Sequence, residues 1–326
     1  MEYLEKARRT IQTDALKLKG KSLLSIADLS PEQLQGLLEL TDAMYKAHHD
    51  RNWVIRYDYP RSLGMIFEKQ SLRTHVTFEL GIQQLGGLAI YLSPADISLG
   101  KRESVPDVAR NLERWCDCIM ARVFKHTDLV ELDRWAKAPV INALSDVEHP
   151  CQALADLFTI QQKKGKLEGV KLAWIGDGNN VLNSLMLAGA MSGMTVSAAC
   201  PDGYLPDPKY VVQAQAMCTV AGAKIEVFSD PAEAVMGADV VYTDTWISMG
   251  EEAQADIRRK AFAGYQVNAE LMALAKPDAI FMHCLPAHRG EEVTDEVMDG
   301  RQSVIFDEAE NRLHAQKAVM AAMIEA

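Results

Sequence analysis

The 326-residue sequence predicts an α/β protein made of two doubly wound parallel-sheet domains joined by interdomain helices. Short apolar runs of strand length alternate with segments of helical periodicity, the pattern of a parallel sheet covered by helices on both faces. This alternation occurs twice, before and after a predicted bridging helix at 151–164 that ends at Gly165. The chain is long enough for two domains with separate cores.

The first half predicts a mixed-charge N-terminal extension at 1–20, helical or partly disordered, and then a first domain at 21–150. Its first clear helix starts after Ser30, because Ser30 can cap, Pro31 suits the first helical position and Gln33 completes a capping box. Four strands are predicted at Ser62–Phe67, Leu88–Leu92, 118–123 and 139–144. Helices are predicted at 74–85, 104–115 and 128–137.

The second half predicts another domain, at 151–308. Its five strands are predicted at Lys171–Ile175, 195–200, Lys224–Phe228, 239–243 and 279–284. The last segment, 309–326, is predicted to be a helix (309–324) that packs back on the first domain. Ligands of such sheets bind beyond the carboxyl ends of the strands. The polar motifs described next lie at those ends, which makes them candidates for a functional site.

Composition limits the classes of function. The formal net charge of −11, from 34 basic and 45 acidic residues, argues against a nucleic-acid partner or an anionic membrane surface. No apolar run has the length of a membrane span, and no apolar signal core opens the sequence. The six cysteines form no C-x-x-C pair, so we expect reduced thiols in a cytoplasmic protein and no structural zinc site.

The segment from Phe67 to His75 predicts an anion site. It leads from a strand into a helix, so backbone N–H groups and the positive end of the helix dipole are directed at one point. The hydroxyls of Ser71 and Thr74 lie there, with the guanidinium of Arg73, whose planar fork suits a phosphate dianion. By itself, the segment is equally compatible with a capped helix and a solvated arginine.

Four segments of mixed polarity occur along the chain: FEKQSLRTH at 67–75, HPCQ at 149–152, DTWISMG at 244–250 and HCLP at 283–286. In sequence and order they resemble the signature segments of the ornithine carbamoyltransferases, in the aspartate/ornithine carbamoyltransferase family. The resemblance runs from Leu24 to the C-terminal helix. It implies transfer of the carbamoyl group of carbamoyl phosphate to the δ-amine of L-ornithine, which gives L-citrulline and phosphate. It implies no metal and no organic cofactor.

By this resemblance, the first domain binds carbamoyl phosphate. The residues assigned to it are Ser71, Leu72 (through its backbone), Arg73, Thr74, Ser98, Arg122, His149, Pro150, Cys151, Gln152 and Arg312. Catalytic roles are implied for Arg73, Arg122, His149, Gln152, Cys284 and Arg312. Arginines around the dianion would stabilise the leaving phosphate, and His149 would polarise the carbonyl while Gln152 holds the carbamoyl amide. Without the resemblance, Arg122 and Arg312 are ordinary charges, and His149 is a helix cap.

The second domain would bind ornithine through Asn180, Asp244, Ser248, Met249, Cys284 and Leu285. A carboxylate at a strand end can hold an α-ammonium group, with Ser248 and the Met249 backbone completing the contact. Cys284 and the Leu285 carbonyl would orient the δ-amine. Such an amine has an unperturbed pKa of about 10.4, and arginine-rich surroundings are expected to lower it. Domain closure would then exclude water.

Two positions depart from the family pattern. His75 stands where arginine is usual, which keeps the fork of Arg73 and changes its supporting ion pairs. Ser98 stands where glutamine or histidine is usual, in a loop that reaches into a neighbouring subunit in the family. Serine is shorter, so either a water takes up the difference or the loop lies closer. Lys101 and Arg102 keep the loop positive, and a loop that crosses a subunit interface implies an oligomer. The resemblance implies a homotrimer or a multiple of trimers.

Three other functions remain compatible with the sequence. One is carbamoyl transfer to another amine, such as putrescine. Another is a nicotinamide-dependent oxidoreductase, although Val181 stands where the dinucleotide fingerprint begun by Gly176 and Gly178 needs a third glycine. The third is a catalytically silent homologue with an assembly or regulatory role. The sequence does not distinguish arginine synthesis from the reverse, catabolic direction.

Overall fold

The computed structural model describes residues 2–51, 56–218, 222–248, 250 and 252–324. The chain divides into two compact units, Met1–Phe158 with Glu310–Ala326, and Thr159–Ala309. Both dividing points lie inside helices, and the domain limits given from the sequence stay predictions. None of the helices in the described residues combines the length and apolarity that a membrane crossing requires.

The described residues contain nine strands in two parallel sheets. They are β1 Ser62–Phe67, β2 Leu88–Leu92, β3 Cys118–Arg122, β4 Val140–Leu144, β5 Lys171–Ile175, β6 Thr195–Ala199, β7 Lys224–Phe228, β8 Val240–Thr243 and β9 Ile280–Met282. The first unit has the strand order β2-β1-β3-β4, and the second has the order β7-β6-β5-β8-β9. All strand pairs are parallel. The predicted α/β class, with two parallel sheets, is confirmed.

Fourteen α-helices occur in the same part of the chain. They are α1 Glu2–Gln12, α2 Pro31–His49, α3 Leu72–Gln84, α4 Pro94–Ile97, α5 Val105–Leu112, α6 His126–Trp135, α7 Pro150–Lys164, α8 Asn180–Met191, α9 Pro208–Met217, α10 Pro231–Val235, α11 Ala255–Ala261, α12 Ala269–Met272, α13 Asp295–Met298 and α14 Ile305–Met323. The capping box predicted for α2 is present, since Ser30 accepts from the Gln33 N–H and the Gln33 side chain accepts from the Ser30 N–H.

The ends of several elements differ from the predicted limits. Helix α3 begins at Leu72 rather than at 74, because the Ser71 side chain caps it. Helix α14 begins at Ile305 rather than at 309, where Ile305 packs in the core of the second unit. Strand β9 covers 280–282 of the predicted 279–284, because the chain leaves the sheet before the HCLP segment. All six cysteines are free, as predicted.

Each sheet has one place where the strand order reverses direction. In the first unit it lies between β1 and β3, where Phe67 pairs with Arg122. In the second unit it lies between β5 and β8, where Ile175 pairs with Thr243. Loops on the two sides of such a switch point diverge to opposite faces of the sheet and leave a crevice. Each unit therefore has one favoured place for a ligand.

Candidate functional site

The first unit gathers its predicted residues at the β1/β3 switch point. Ser71 follows β1, Arg122 ends β3, and His149 follows β4. These three strands are parallel neighbours, so their carboxyl ends lie at one edge of the sheet. Residues separated by nearly eighty positions in the sequence are thus placed on the same edge.

The N-terminus of α3 presents unsatisfied donors at this edge. The Ser71 hydroxyl accepts from the Thr74 N–H at 3.3 Å and donates to the Thr74 hydroxyl at 3.1 Å. The N–H groups of Leu72 and Arg73 make no hydrogen bond within the described residues. The Leu72 side chain is 75% exposed, so its contribution here is its backbone. Two open N–H groups and the helix dipole form an anion-binding end.

Arg312 connects two other predicted residues, Gln152 and Thr74, inside the first unit. Its guanidinium donates to the Gln152 amide oxygen at 2.9 Å and to the Thr74 hydroxyl at 3.0 Å. The Gln152 amide nitrogen donates to Asp156 at 2.7 Å. All four side chains are buried. A charge-assisted network of this kind fixes the rotamers of its members, so α3, α7 and α14 are held in register at the site.

His149 lies among the arginines of this unit. Burial lowers its pKa well below the usual value, and the charges of Arg312, Arg122 and Arg73 lower it further. The imidazole is therefore neutral at neutral pH and has one N–H to donate. Three arginines close enough to act on one imidazole also attract an anion. A neutral donor beside a cluster of cations suits a carbonyl group attached to a phosphate.

Pro150 and Cys151 have structural roles in this arrangement. Pro150 is the first residue of α7. The Cys151 thiol is fully buried and faces the Asn142 carbonyl at 3.6 Å. Burial raises the pKa of this thiol to about 12. It is consequently a neutral packing group, and carbamoyl phosphate contact by these two residues stays a prediction.

Ser98 and His75, the two residues that depart from the family pattern, contact residues close to them in the fold. The Ser98 hydroxyl donates to the Pro94 carbonyl at 2.9 Å, and its backbone has a left-handed φ of 40°. No hydrogen bond within the described residues joins Ser98 to the other predicted site residues. His75 stacks on Tyr91 with ring centroids 4.3 Å apart and lies 3.1 Å from a Glu79 carboxylate oxygen.

The second unit places Asp244 and Cys284 together, at the β5/β8 switch point. The Cys284 thiol donates to one Asp244 oxygen at 3.1 Å. The other oxygen accepts from the Asn179 side chain at 2.8 Å. The sequence pattern did not reveal this contact of Asn179, and ornithine binding by its neighbour Asn180 stays a prediction. The available signal was the position of Asn179 as a helix cap: its side-chain oxygen accepts from two N–H groups of α8.

A buried arginine holds the loop after Asp244. Arg258, in α11, donates to the Asp177 carboxylate and to the Trp246 carbonyl, and its guanidinium lies 4.7 Å from the Tyr204 ring centroid. The side chain is 4% exposed. Sequence reasoning missed this contact, because Arg258 has no motif around it. Ser248 lies in the same loop, and Met249 lies outside the described residues.

Comparison with known proteins places both halves of the chain in one family. Residues 21–162 match the family model for the carbamoyl-P binding domain of aspartate/ornithine carbamoyltransferase. Residues 168–323 match the model for its Asp/Orn binding domain. The chain belongs to the aspartate/ornithine carbamoyltransferase family.

Individual members of this family are similar over nearly the whole chain. Ornithine carbamoyltransferase from Symbiobacterium thermophilum is 55% identical over 306 residues, which cover 93% of this chain and 97% of the relative. The anabolic ornithine carbamoyltransferase of Pyrococcus furiosus is 50% identical, with 94% and 97% covered. A solved structure of ornithine carbamoyltransferase from Pyrococcus furiosus has a TM-score of 0.91 at 48% identity and covers 94% of this chain and 98% of its own.

Backbone geometry accounts for Gly176 and Gly178, the two glycines that begin a dinucleotide fingerprint in the sequence. A β-carbon on Gly178 would lie 2.2 Å from the Pro206 nitrogen and 2.4 Å from the Leu205 carbonyl carbon. Gly176 has a φ of 138°. Here the glycines permit a turn and a close approach of protein backbone. Backbone occupies the space next to Gly178 that a dinucleotide pyrophosphate would need.

The HCLP segment of this carbamoyltransferase is fixed by buried contacts. The His283 N–H donates to Glu308 at 2.9 Å, and its ring nitrogens contact Glu292 at 3.2 Å and the Leu285 N–H at 2.9 Å. Asp244, His283 and Cys284 have possible ligand atoms within 4.8 Å of one another. Because both ring nitrogens of His283 are already engaged, this group orients Cys284 and Leu285 and does not offer a complete ligand set.

Proposed function

We propose that the protein transfers the carbamoyl group of carbamoyl phosphate to the δ-amine of L-ornithine, giving L-citrulline and phosphate. The observation that carries this proposal is the carboxylate of Asp244, held by Asn179 and Cys284 at the switch point of an Asp/Orn binding domain. A carboxylate attracts the α-ammonium of ornithine. An aspartate substrate, with two carboxylates, needs cations, and the nearby cation Arg258 is paired with Asp177.

The first unit supplies the site for carbamoyl phosphate. The open N–H groups of Leu72 and Arg73 favour a phosphate, as does the dipole of α3. Arg73, Arg122 and Arg312 supply positive charge around His149. The positive charge stabilises the reacting groups most when the bond to phosphate breaks, because negative charge then develops on the leaving oxygen. These side chains therefore stabilise the transition state as well as the bound substrate.

The chemical step proceeds by addition and elimination. The neutral δ-amine forms a bond to the carbonyl carbon, and the carbonyl oxygen takes up negative charge that the His149 N–H stabilises. The carbon–oxygen bond to phosphate then breaks, with its electron pair leaving on the phosphate. The proton lost by the amine ends on the phosphate. Gln152 is oriented by Arg312 and Asp156, and its amide oxygen is the group that we propose to hold the carbamoyl NH₂.

Ornithine specificity is tested by an assay of products. Carbamoyl phosphate is supplied with ornithine, putrescine, N-acetylornithine or aspartate, and the carbamoylated products are separated and quantified. We expect citrulline formation at much the highest kcat/KM. A higher kcat/KM for putrescine would identify putrescine as the substrate, and turnover with none of the four would favour a silent homologue.

We further propose citrulline formation as the working direction, by analogy with the anabolic relative. A cytoplasmic location stays a prediction.

A homotrimer is proposed from an apolar face on the first unit. Leu72, Val76 and Leu80 on α3 are 75%, 42% and 42% exposed, and Leu88 and Ile90 on β2 are 65% and 47% exposed. Large apolar side chains grouped on a helix and an adjacent edge strand mark an interaction surface. A second copy of the chain is the expected occupant, since the family resemblance implies trimers and the loop at 98–104 adjoins β2 along the chain.

Light scattering checks this assembly. We expect the wild type to have three times the molar mass of one chain, or a multiple of that, and Leu80→Asp to shift it toward the single chain. Val212→Asp is the matched control, because Val212 is a 64% exposed residue on α9 of the second unit. A single-chain mass for the wild type would refute the proposal. An unchanged mass for Leu80→Asp would place the interface elsewhere.

A further inference from the structure

A group of histidines and a glutamate lies at the C-terminal end of α2, where it meets α14. His49 is the last residue of α2, and Glu310 and His314 are one turn apart on α14. All three belong to the first unit. Residues four apart on a helix share a face, so Glu310 and His314 point the same way. The proposed transfer reaction uses none of these three side chains.

The three side chains have the chemistry and spacing of a cation site. The His49 Nε2 atom lies 2.9 Å from Glu310 Oε1, and the His314 Nε2 atom lies 3.4 Å from the same oxygen. Ligand atoms of all three lie within 4.8 Å of one another. Zinc bonds of about 2.0–2.2 Å in a tetrahedron require ligand atoms roughly 3.3–3.6 Å apart. Small side-chain rotations would reach that geometry.

His314 is the buried member of this group. Its side chain has no exposed surface. Its Nδ1 atom makes no hydrogen bond within the described residues. The imidazole is thus held by the 3.4 Å contact to Glu310 and by ring packing against Tyr45.

The outer side of the cluster is open to water. The His49 side chain is 48% exposed and that of Glu310 is 39% exposed. Two imidazoles and one carboxylate around a divalent cation leave a fourth position, and here that position can hold water. A positive charge that opposes a cation here is that of Lys317, a buried amine that donates to Gln84 at 2.9 Å.

We infer that His49, Glu310 and His314 form a binding site for a divalent cation of the zinc class. Imidazole nitrogen with one carboxylate favours zinc over magnesium or calcium, which prefer oxygen ligands. The bound cation would join the end of α2 to α14. Arg312 lies between two of the ligands on α14, so the cation would also fix the helix that carries a proposed carbamoyl phosphate ligand.

Zinc titration of metal-stripped, tag-free protein tests the site. The titration uses the full chain with a Cys284→Ser background, which removes the thiol near Asp244. We expect one zinc ion per chain. His49→Ala and Glu310→Gln should each weaken zinc binding by about 10–100-fold or more, because losing even a hydrogen-bond partner of a metal ligand weakens binding by about that factor. Both positions are partly exposed, so these variants should fold. Equal binding by the wild type and both variants would overturn the inference, as would no binding by the wild type.

Two further measurements separate a cation site from a hydrogen-bonded cluster. His126→Ala is the matched control: it also removes a histidine, on α6 of the same unit, whose ring contacts Ser145 at 3.0 Å. Its zinc affinity should match the wild type. Lys317→Met should tighten zinc binding, because it removes the opposing charge. Added zinc should raise the melting temperature of the wild type and not that of Glu310→Gln; equal shifts would contradict the site.

Discussion

Replacing Arg73 with alanine should lower kcat/KM for carbamoyl phosphate by about 10²–10³-fold, the effect of removing one preorganised donor from a developing charge. The melting temperature should stay nearly unchanged. The Arg73 guanidinium makes no hydrogen bond or ion pair within the described residues, so its removal leaves no broken contact behind. It is half-buried at the open end of α3. Steady-state kinetics with varied carbamoyl phosphate and a thermal melt check both parts.

Two other arginine variants serve as controls for Arg73→Ala. Arg114→Ala removes the same charge from a side chain that is 76% exposed, and it should retain wild-type activity. Arg312→Ala should lose both activity and stability, because it removes two buried hydrogen bonds from a charged donor, to Gln152 and Thr74, at about 1.5–3 kcal/mol each. If Arg73→Ala kept near-normal activity, the anion site at α3 would be wrong. If it melted like Arg312→Ala, Arg73 would be a structural residue.

The sequence could predict the parallel sheets and the motifs because both depend on local patterns. Buried parallel strands are short apolar runs, and polar residues directly after them mark the carboxyl edge of the sheet. Asp244 and Cys284 could be expected near each other on this ground, and they form a hydrogen bond. Helix α14 begins four residues before its predicted start at 309, because no capping signal in the sequence marks its beginning at Ile305 and Phe306.

The contacts that hold the site could not be predicted, because they join residues whose partners are set by tertiary packing. Arg258 stands in no recognisable motif in α11, yet it contacts Asp177 and the Trp246 carbonyl. Arg312 could be named from the family pattern, but its bonds to Gln152 and Thr74 depend on how three helices pack. The same is true of His49, which lies 261 residues before its partner Glu310 in the sequence.

Replacing Asp244 with asparagine should weaken ornithine binding far more than carbamoyl phosphate binding. A hydrogen bond to a charged group contributes about 1.5–3 kcal/mol, so KM for ornithine should rise roughly 10–150-fold. Asparagine keeps the size of the side chain and an oxygen that can accept from Asn179 or Cys284. The change therefore removes the charge with little effect on packing. Kinetics with varied ornithine measure the first effect, and calorimetry with carbamoyl phosphate measures the second.

A double-mutant cycle shows whether Asp244 acts on the α-ammonium itself. The substrate 5-aminopentanoate has the same reacting amine and carboxylate as ornithine, but it lacks the α-amino group. The wild type should prefer ornithine strongly. Asp244→Asn should lose most of that preference, because 5-aminopentanoate has no α-ammonium for the Asp244 carboxylate to bind. Asp177→Asn, which removes a carboxylate paired with Arg258 in the same unit, should keep the preference even where it lowers stability. If Asp244→Asn lowered kcat/KM for both substrates equally, Asp244 would only position Cys284 and Asn179, and another group would bind the ammonium.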